Sequence, residues 1–402
     1  MSMNETPSAE RTHIGFFGCR NAGKSSLVNA VTGQALAIVS DVRGTTTDPV
    51  QKAMEIVPLG PVVIIDTPGL DDDGELGQLR VKRAEDALNR VDVAVLVVDA
   101  GQGLTDRDAQ LLSRIRKMGL PYLVAWNKSD LPEARPPVEN AHSVSALTGE
   151  GVWAFKEALA RAMPEGAGKR IAGDLVKPGD TAVLVCPMDE SAPKGRLILP
   201  QQQTIRDLLD AGALPLVCRD SELAQALERL SGSPALVITD SQAFKAVNAI
   251  VPDAVPLTSF SILMARYKGF LNAAVAGIAA MDGLKDGDRV LLAEGCTHHR
   301  QCNDIGTVKI PRWLRQYTGA DVRIETCTGR DFPEDLSAFK LVIHCGGCML
   351  TEMVVKYRMR TALSQGVPFT NYGIAIAHMT GALERSLRLF PELHALLAGD
   401  GA

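Results

Sequence analysis

The chain lacks several features, and each absence narrows what it can be. No apolar run in its 402 residues approaches the ~18 residues of a membrane-spanning helix. The longest candidate, Val93–Val98, has the length of a buried strand. The opening residues MSMNETPSAERT hold no apolar core of the kind a secretory leader carries, so the expected compartment is the cytoplasm, without membrane attachment. Basic charge is not in surplus. Lys and Arg number 42 against 47 Asp and Glu, a formal net charge of −5, which argues against broad binding to nucleic acid or to anionic membrane. There is also no repeat of fixed period and no low-complexity tract.

What remains is the composition of an ordinary globular protein, 46% hydrophobic and 22% charged. At ~100–200 residues per domain, two or three domains are predicted. Apolar, β-rich runs alternate with stretches of helical spacing. His13–Gly18, Val62–Asp66, Val93–Asp99 and Tyr122–Asn127 read as strands; Ser25–Val31, Arg80–Arg90 and Asp106–Lys117 read as helices between them. Such alternation predicts an α/β fold with mainly parallel sheets and helices on both faces. The stretch Pro164–Gly173 has a linker's composition. Beyond it, strands are predicted at Thr181–Pro187, Pro215–Arg219 and Ala235–Asp240, with helices at Thr204–Ala211, Glu222–Leu230 and Ala243–Ile250. A third set starts near Thr258, with strands Arg289–Ala293, Val322–Glu325, Leu341–His344 and Pro368–Asn371 and helices including Pro311–Tyr317 and Leu350–Gln365. The predicted domains are residues 1–168, 169–258 and 259–402.

The first domain carries a nucleotide site in five pieces. Gly18-Cys-Arg-Asn-Ala-Gly-Lys24-Ser25 fits the phosphate-loop pattern G-x-x-x-x-G-K-S/T between a predicted strand and a predicted helix. Its glycines let backbone N–H groups from Gly18 through Asn21, Ala22 and Gly23 to Ser26 point at phosphate oxygens, and the helix N-terminus adds its positive dipole end. Lys24 is expected to reach the β and γ phosphates, and Ser25 to offer its hydroxyl to Mg2+. Asp66-Thr-Pro-Gly69 ends an apolar strand; its aspartate can hold Mg2+ through water, and the Gly69 N–H can sense the γ-phosphate. Asn127-Lys128-Ser-Asp130 ends another strand. There Asp130 accepts from guanine N1–H and the exocyclic amine, donors that adenine lacks at those positions, which selects GTP over ATP. Ser145-Ala146-Leu147 forms a base-contacting loop. The polar loop Arg43–Asp48 supplies Thr46 to the Mg2+ shell when GTP is bound and is the natural switch.

With these motifs in this order, residues 13–165 resemble the translation-factor-type small GTPases, nearest to the Era and tRNA-modification branch. Two departures from Ras-like proteins matter. Leu70 stands where those proteins carry a water-orienting glutamine, so hydrolysis needs another device. Asn21 stands where the resembling potassium-activated GTPases hold K+ beside the phosphates, which implies K+-stimulated hydrolysis of GTP to GDP. The catalytic set implied is Lys24, Gly69, Thr46 and Asn21.

Of eight cysteines, four fall in two tight pairs, Cys296 with Cys302 and Cys345 with Cys348. Cys19, Cys186, Cys218 and Cys327 are isolated and read as small buried hydrophobes. Cys296 lies in Glu294-Gly-Cys296-Thr-His298-His299, and Cys345 and Cys348 lie in His344-Cys345-Gly-Gly-Cys348, each segment just past a predicted strand, where open α/β sheets place ligands. The helix predicted after Cys348 favours thiolates at its N-terminus, the species that bind metal. Residue types alone leave the metal open. Three cysteines with one histidine suit tetrahedral zinc, and an iron–sulfur cluster with three thiolates and one labile position fits equally.

The pattern Cys296-x-His298, then 45 residues, then His344-Cys345-x-x-Cys348, behind a GTPase domain, resembles the family of FeFe-hydrogenase maturation GTPases over essentially the whole chain. Asp304-Ile-Gly306, Lys309-Ile-Pro311 and Asn371-Tyr-Gly373 also fit that family. The resemblance implies a 4Fe-4S cluster on Cys296, Cys345 and Cys348, its fourth iron open or held by His298, His344, Glu294 or an exogenous ligand. It further implies a scaffold and carrier for a diiron subcluster precursor as cargo, built with radical-SAM maturation enzymes and delivered to apo-FeFe-hydrogenase. The middle domain is then a homodimerisation module. Cys302 falls outside the resembling pattern. Two other functions are weighed against this one: a zinc-containing regulatory GTPase, and a GTPase of RNA modification or ribosome assembly, which the acidic charge disfavours.

Overall fold

The Val93–Val98 run forms part of a central strand, buried along its length. An uninterrupted apolar strand needs cover on both faces, and a parallel sheet flanked by helices provides it. The computed structural model describes residues 8–34, 50–67, 69, 83–132, 141–163, 169–188, 197–295, 304–329 and 331–398. The chain divides into two units, Met1–Ala167 and Gly168–Ala402.

The first unit is built on β1 (Thr12–Phe17), β2 (Val50–Ile56), β3 (Gly60–Asp66), β4 (Val93–Asp99), β5 (Tyr122–Asn127) and β6 (Ala141–Ser143), in the order β2-β3-β1-β4-β5-β6. Only β2 runs antiparallel to its neighbour among these pairs. β1 lies between β3 and β4, so the chain leaves it to opposite sides, and such a switch point opens a ligand crevice at the strands' carboxyl ends. The apolar side chains Ile14, Phe16, Leu27, Ile64, Val95 and Phe155 fill one core. The helix Asp106–Lys117 starts at a capping box. Thr105 accepts from the Asp108 N–H at 3.2 Å while the Asp108 carboxylate accepts from the Thr105 N–H at 3.1 Å. The sequence reading missed β2 and β6. β2 reads VQKAMEI, with Gln51, Lys52 and Glu55 exposed, as suits an edge strand, and β6 has three residues.

The second unit holds two four-stranded parallel sheets. One contains β7 (Thr181–Val185), β8 (Leu214–Cys218), β9 (Leu236–Thr239) and β10 (Leu257–Ser259), in the order β10-β9-β7-β8. The other contains β11 (Arg289–Glu294), β12 (Arg323–Thr328), β13 (Leu341–His344) and β14 (Phe369–Asn371), in the order β12-β11-β13-β14. Counted in chain order within each sheet, both read 2-1-3-4. Both fourth strands end in a side-chain cap on the next helix: Ser259 accepts from the Ile262 N–H, and Asn371 accepts from the Ile374 N–H. The two sheets thus repeat one topology, although the sequence shows no periodic repeat.

One apolar core joins both sheets, from Val183, Val237 and Leu257 to Leu292, Ile343 and Phe369. The helix Phe260–Tyr267 buries Phe260, Leu263 and Met264 against Ala182, Leu184 and Leu236. It therefore packs on the β7–β10 sheet, past the boundary expected at residue 258. Close approach also sets Gly277, where a Cβ would lie 2.2 Å from the Phe369 carbonyl oxygen.

Candidate functional site

At the carboxyl end of β1 the chain curls through a loop that other residues could not make. Gly18 has φ +140°, and a Cβ there would lie 2.2 Å from the Val97 carbonyl oxygen. Gly23 sits at φ +87° before the helix Lys24–Thr32, with a would-be Cβ 2.2 Å from Asn127 Nδ2. Asn21 takes the left-handed conformation at φ 58°, which Asn tolerates better than most residues. Lys24 is buried, its Nζ donating to the carbonyls of Gly18 (2.9 Å) and Cys19 (2.7 Å). That ammonium therefore stands inside the loop whose N–H groups would meet phosphate. Ser26 lies half-buried in the first turn of the same helix.

Ser25 Oγ donates to Asp66 Oδ2 at 2.7 Å. The other carboxylate oxygen, Oδ1, is buried with no hydrogen-bond partner among the described residues. Burial raises the Asp66 pKa, opposed by the Ser25 hydroxyl and the Lys24 charge. An orphaned carboxylate oxygen beside a hydroxyl is the donor set a hard oxygen-seeking cation needs, so the residues present fit Mg2+. Thr67 Oγ1 donates to the Phe16 carbonyl at 2.6 Å and fastens this segment to β1. Gly69 sits against the loop; a Cβ there would come 2.9 Å from Arg20 Cα. Thr46 and Leu70 lie outside the described residues.

The base-reading pieces are tied to the same loop. Asn127, 1% exposed, donates from Nδ2 to the Ala22 carbonyl at 2.9 Å and accepts from the Ala146 N–H at 3.1 Å. Lys128 has φ 64°, and its Nζ reaches Asp99 Oδ2 at 2.6 Å. Asp130 is exposed. Ser145 is buried and accepts from the Thr148 N–H at 3.0 Å, shaping a turn that leaves Leu147 exposed. Asp99 is a site residue the sequence reading passed over; its signal was an acid ending the apolar run of β4.

The second unit presents the thiols. Cys345 follows β13, and its Sγ accepts from the N–H groups of Gly295 (3.1 Å) and Gly347 (3.4 Å). Gly347 turns at φ +64° and carries the chain on to Cys348. Both thiols are half-buried. Burial raises both pKa values. At Cys345 the two N–H groups and the Arg358 charge oppose the rise; at Cys348 the Lys268 charge and backbone N–H groups do. Two thiols that accept backbone hydrogen bonds near cations fit a thiolate-held metal group. The following helix is Glu352–Ser364, capped by Thr351, which accepts from the Val354 N–H. Cys296 and His298, with Cys302 and His299, lie outside the described residues. Among the described residues no group of three His, Cys, Asp or Glu side chains forms a metal cage.

His344, named above among the possible ligands of the fourth iron, is fully buried. Its Nδ1 lies 2.6 Å from the Cys345 carbonyl, which can only accept, so Nδ1 carries the proton. Nε2 then accepts from Arg358 Nη1 at 3.0 Å. Burial and the Arg358 charge push the imidazole down to about 3, so it is neutral. Both ring nitrogens of His344 thus have partners inside the protein. Arg358, buried, also donates to the carbonyls of Glu294 and Gly329, tying together the carboxyl ends of β11, β12 and β13. Glu294, a residue weighed as the fourth ligand, accepts from Tyr372 Oη at 3.3 Å. Gly306 makes room for that pair; a Cβ there would lie 2.1 Å from Glu294 Oε1 and 2.5 Å from Tyr372 Oη.

Residues 13–128 match the domain family described as 50S ribosome-binding GTPase. The tRNA modification GTPase MnmE of Nitrosomonas europaea is 37% identical over 148 residues, 35% of this chain and 32% of that protein. MnmE of Chromobacterium violaceum is 41% identical over 157 residues, 37% of this chain and 34% of that protein. The chain spans about a third of the length of these curated relatives. The crystal structure of Aquifex aeolicus Era bound to GDP and AlF4− aligns over 52% of this chain and 92% of that chain, with TM-score 0.34 and 20% identity. Residues 171–269 match the Hydrogen maturase F dimerization domain, and residues 272–389 match the Hydrogen maturase F tetramerization domain. Two domains of one family thus run through the second unit almost without a gap, behind a GTPase domain, and the chain belongs to the hydrogen maturase F family.

Proposed function

We propose that this protein is a GTP-hydrolysing scaffold of hydrogenase maturation. It holds a 4Fe-4S cluster on Cys296, Cys345 and Cys348 and assembles or delivers a diiron subcluster precursor to apo-FeFe-hydrogenase. The observation that carries this reading is Cys345, whose sulfur accepts two backbone hydrogen bonds at a strand end in a chain that also bears a complete nucleotide loop. When bound, such a cluster supplies a labile iron able to take up and release cargo.

The chain's own residues divide the work. Lys24 moves from the Gly18 and Cys19 carbonyls to the β and γ phosphates. Ser25, Asp66 and Thr46 would hold Mg2+, which would neutralise phosphate charge. Asp130 reads guanine, with Asn127 and Ala146 holding its loop to the phosphate loop. Asn21 would supply an oxygen to K+. GTP turnover changes partner affinity or domain arrangement and leaves the cargo chemically untouched. The radical-SAM maturation enzymes and the apo-hydrogenase are the partners, in the cytoplasm. No helix among the described residues is long and apolar enough to cross a membrane.

A homodimer is part of this reading. β8 is the last strand of its sheet, and Leu214 and Val217 on it are 60% and 43% exposed. An open apolar edge of this kind favours pairing with a second copy. A monomeric mass in light scattering at micromolar concentration removes this part.

The test of the whole is iron and acid-labile sulfide analysis of the chain purified without oxygen. Iron and sulfide in equal amounts, lost together from Cys348→Ser, support the scaffold. One tightly held zinc with no sulfide leaves the zinc-containing GTPase instead.

A further inference from the structure

We infer that Lys268 is a positioning residue for the thiol loop, a cation lent by the β7–β10 sheet's own helix to the cluster site of the other sheet. This inference rests on the reading of Cys345 and Cys348 as cluster ligands.

Lys268 ends the helix Phe260–Tyr267, which packs on the β7–β10 sheet through Phe260, Leu263 and Met264. Its side chain crosses to the other sheet. Nζ donates to the carbonyls of Gly347 and Leu350, the latter at 2.6 Å. Those carbonyls bracket Cys348 on both sides. One ammonium therefore clamps the turn that spaces Cys348 from Cys345, and the residue is only 5% exposed. A charge so far from water acts at lower effective dielectric and is felt more strongly by its neighbours. Arg358, 2% exposed, is tied to Glu294, Gly329 and the ring of His344, the residue before Cys345. The loop is thus flanked by two buried cations from separate elements.

The repeated topology supplies an internal comparison. Cys186 directly follows β7, as Gly295 and Cys296 follow β11, and Cys218 ends β8. Burial first, then Asp240 and Cys218, push Cys186 up to about 12; burial, Glu222 and Asp220 push Cys218 up to about 11. There the charged neighbours are acids. At the other thiol loop the Lys268 ammonium bonds the carbonyls of Gly347 and Leu350, on either side of Cys348. The same sheet plan thus carries a buried lysine and a buried arginine at one of its two thiol-bearing ends, where the other has acids beside its cysteines. A thiolate-ligated cluster is an anion, and a nearby ammonium favours its more reduced, more negative state.

The experiment compares Lys268→Met, Lys268→Gln and Lys268→Arg with the wild-type full chain. Two quantities are read: Co2+ affinity of the metal-free chain, from its thiolate-to-cobalt absorption, and the midpoint potential of the reconstituted cluster. The denaturation midpoint of the second unit serves as the control for folding, since GTP turnover reads only the first. Lys268→Met is expected to weaken Co2+ binding about tenfold and to shift the reduction equilibrium about tenfold toward the oxidised state, ~59 mV for a one-electron couple. Lys268→Gln keeps a donor for the carbonyls but loses the charge. It is expected to retain most of the Co2+ affinity and still lower the potential, and it carries the test if Lys268→Met fails to fold. Lys268→Arg is expected to restore the potential. Wild-type affinity and potential in both uncharged variants would overturn the role of Lys268 while leaving the cluster reading intact. A wild-type chain that takes up neither cobalt nor cluster would overturn both.

Discussion

Asn127 donates its side-chain amide to the Ala22 carbonyl across 105 residues of sequence, and the same side chain accepts from the Ala146 N–H. Phosphate loop, base motif and base-contacting loop are therefore one hydrogen-bonded body. Removing the amide leaves a carbonyl and an N–H without partners, at a cost of about 1–3 kcal/mol for each buried group. Asn127→Ala is expected to weaken GTP and GDP alike, by at least about tenfold, where 1.4 kcal/mol is tenfold. Calorimetric titration checks it; unchanged affinity for both nucleotides would contradict the bridging role.

Under the proposed function Asp130 determines the base. Its carboxylate matches two donors of guanine, whereas an amide in its place presents one acceptor and one donor. Asp130→Asn is expected to lose at least about tenfold in GTP affinity and to gain affinity for xanthosine triphosphate, whose carbonyl can accept from the new N–H. Competition binding with the two nucleotides reads the switch. Retained preference for GTP would place guanine recognition elsewhere.

Asn21 lies in the left-handed region on the exposed side of the phosphate loop, next to buried Ala22. Turnover in potassium buffer is expected to exceed that in sodium buffer several-fold, and Asn21→Ala to abolish the difference. A wild-type chain equally active in both salts would rule out the K+ role and leave Asn21 as a loop-shaping residue.

Gly277 meets the Phe369 backbone, with 2.2 Å from a would-be Cβ to its carbonyl oxygen and 2.8 Å to its carbonyl carbon. Backbone atoms of a buried strand cannot yield as a side-chain tip can. Gly277→Ala is expected to destabilise the second unit by about 1–3 kcal/mol. Chemical denaturation followed by its own spectroscopic signal measures this, and an unchanged midpoint would show that the short helix Gly277–Met281 slides to accommodate the methyl.

The nucleotide site was legible because phosphate and guanine dictate residue types at strand ends. Gly18, Lys24, Asp66 and Asn127 each have few chemical substitutes, and Gly18, Asp66 and Asn127 each close a readable apolar run. Edge elements were not legible. β2 has Lys52 and Glu55 on exposed positions, and β10 is three residues long, too short for any alternation to register. The thiol site was legible in its sulfur atoms and not in its charges. His344 reads as a ligand because it adjoins Cys345, yet the fold spends both ring nitrogens on Cys345 and Arg358. Lys268 and Arg358 carry no local pattern. A lysine 79 residues from Gly347 becomes its neighbour only through packing between two sheets. The 2-1-3-4 order shared by both sheets was hidden for the same reason, since topology repeats there without a periodic sequence.

The measurement that bears most directly on the scaffold reading is electron paramagnetic resonance of the chain after anaerobic reconstitution with iron and sulfide and reduction by dithionite, beside Cys345→Ala. The wild type is expected to give the signal of a reduced 4Fe-4S cluster, and the substitution to abolish it while GTP turnover persists. A colourless, signal-free wild-type chain holding one zinc ion would contradict it.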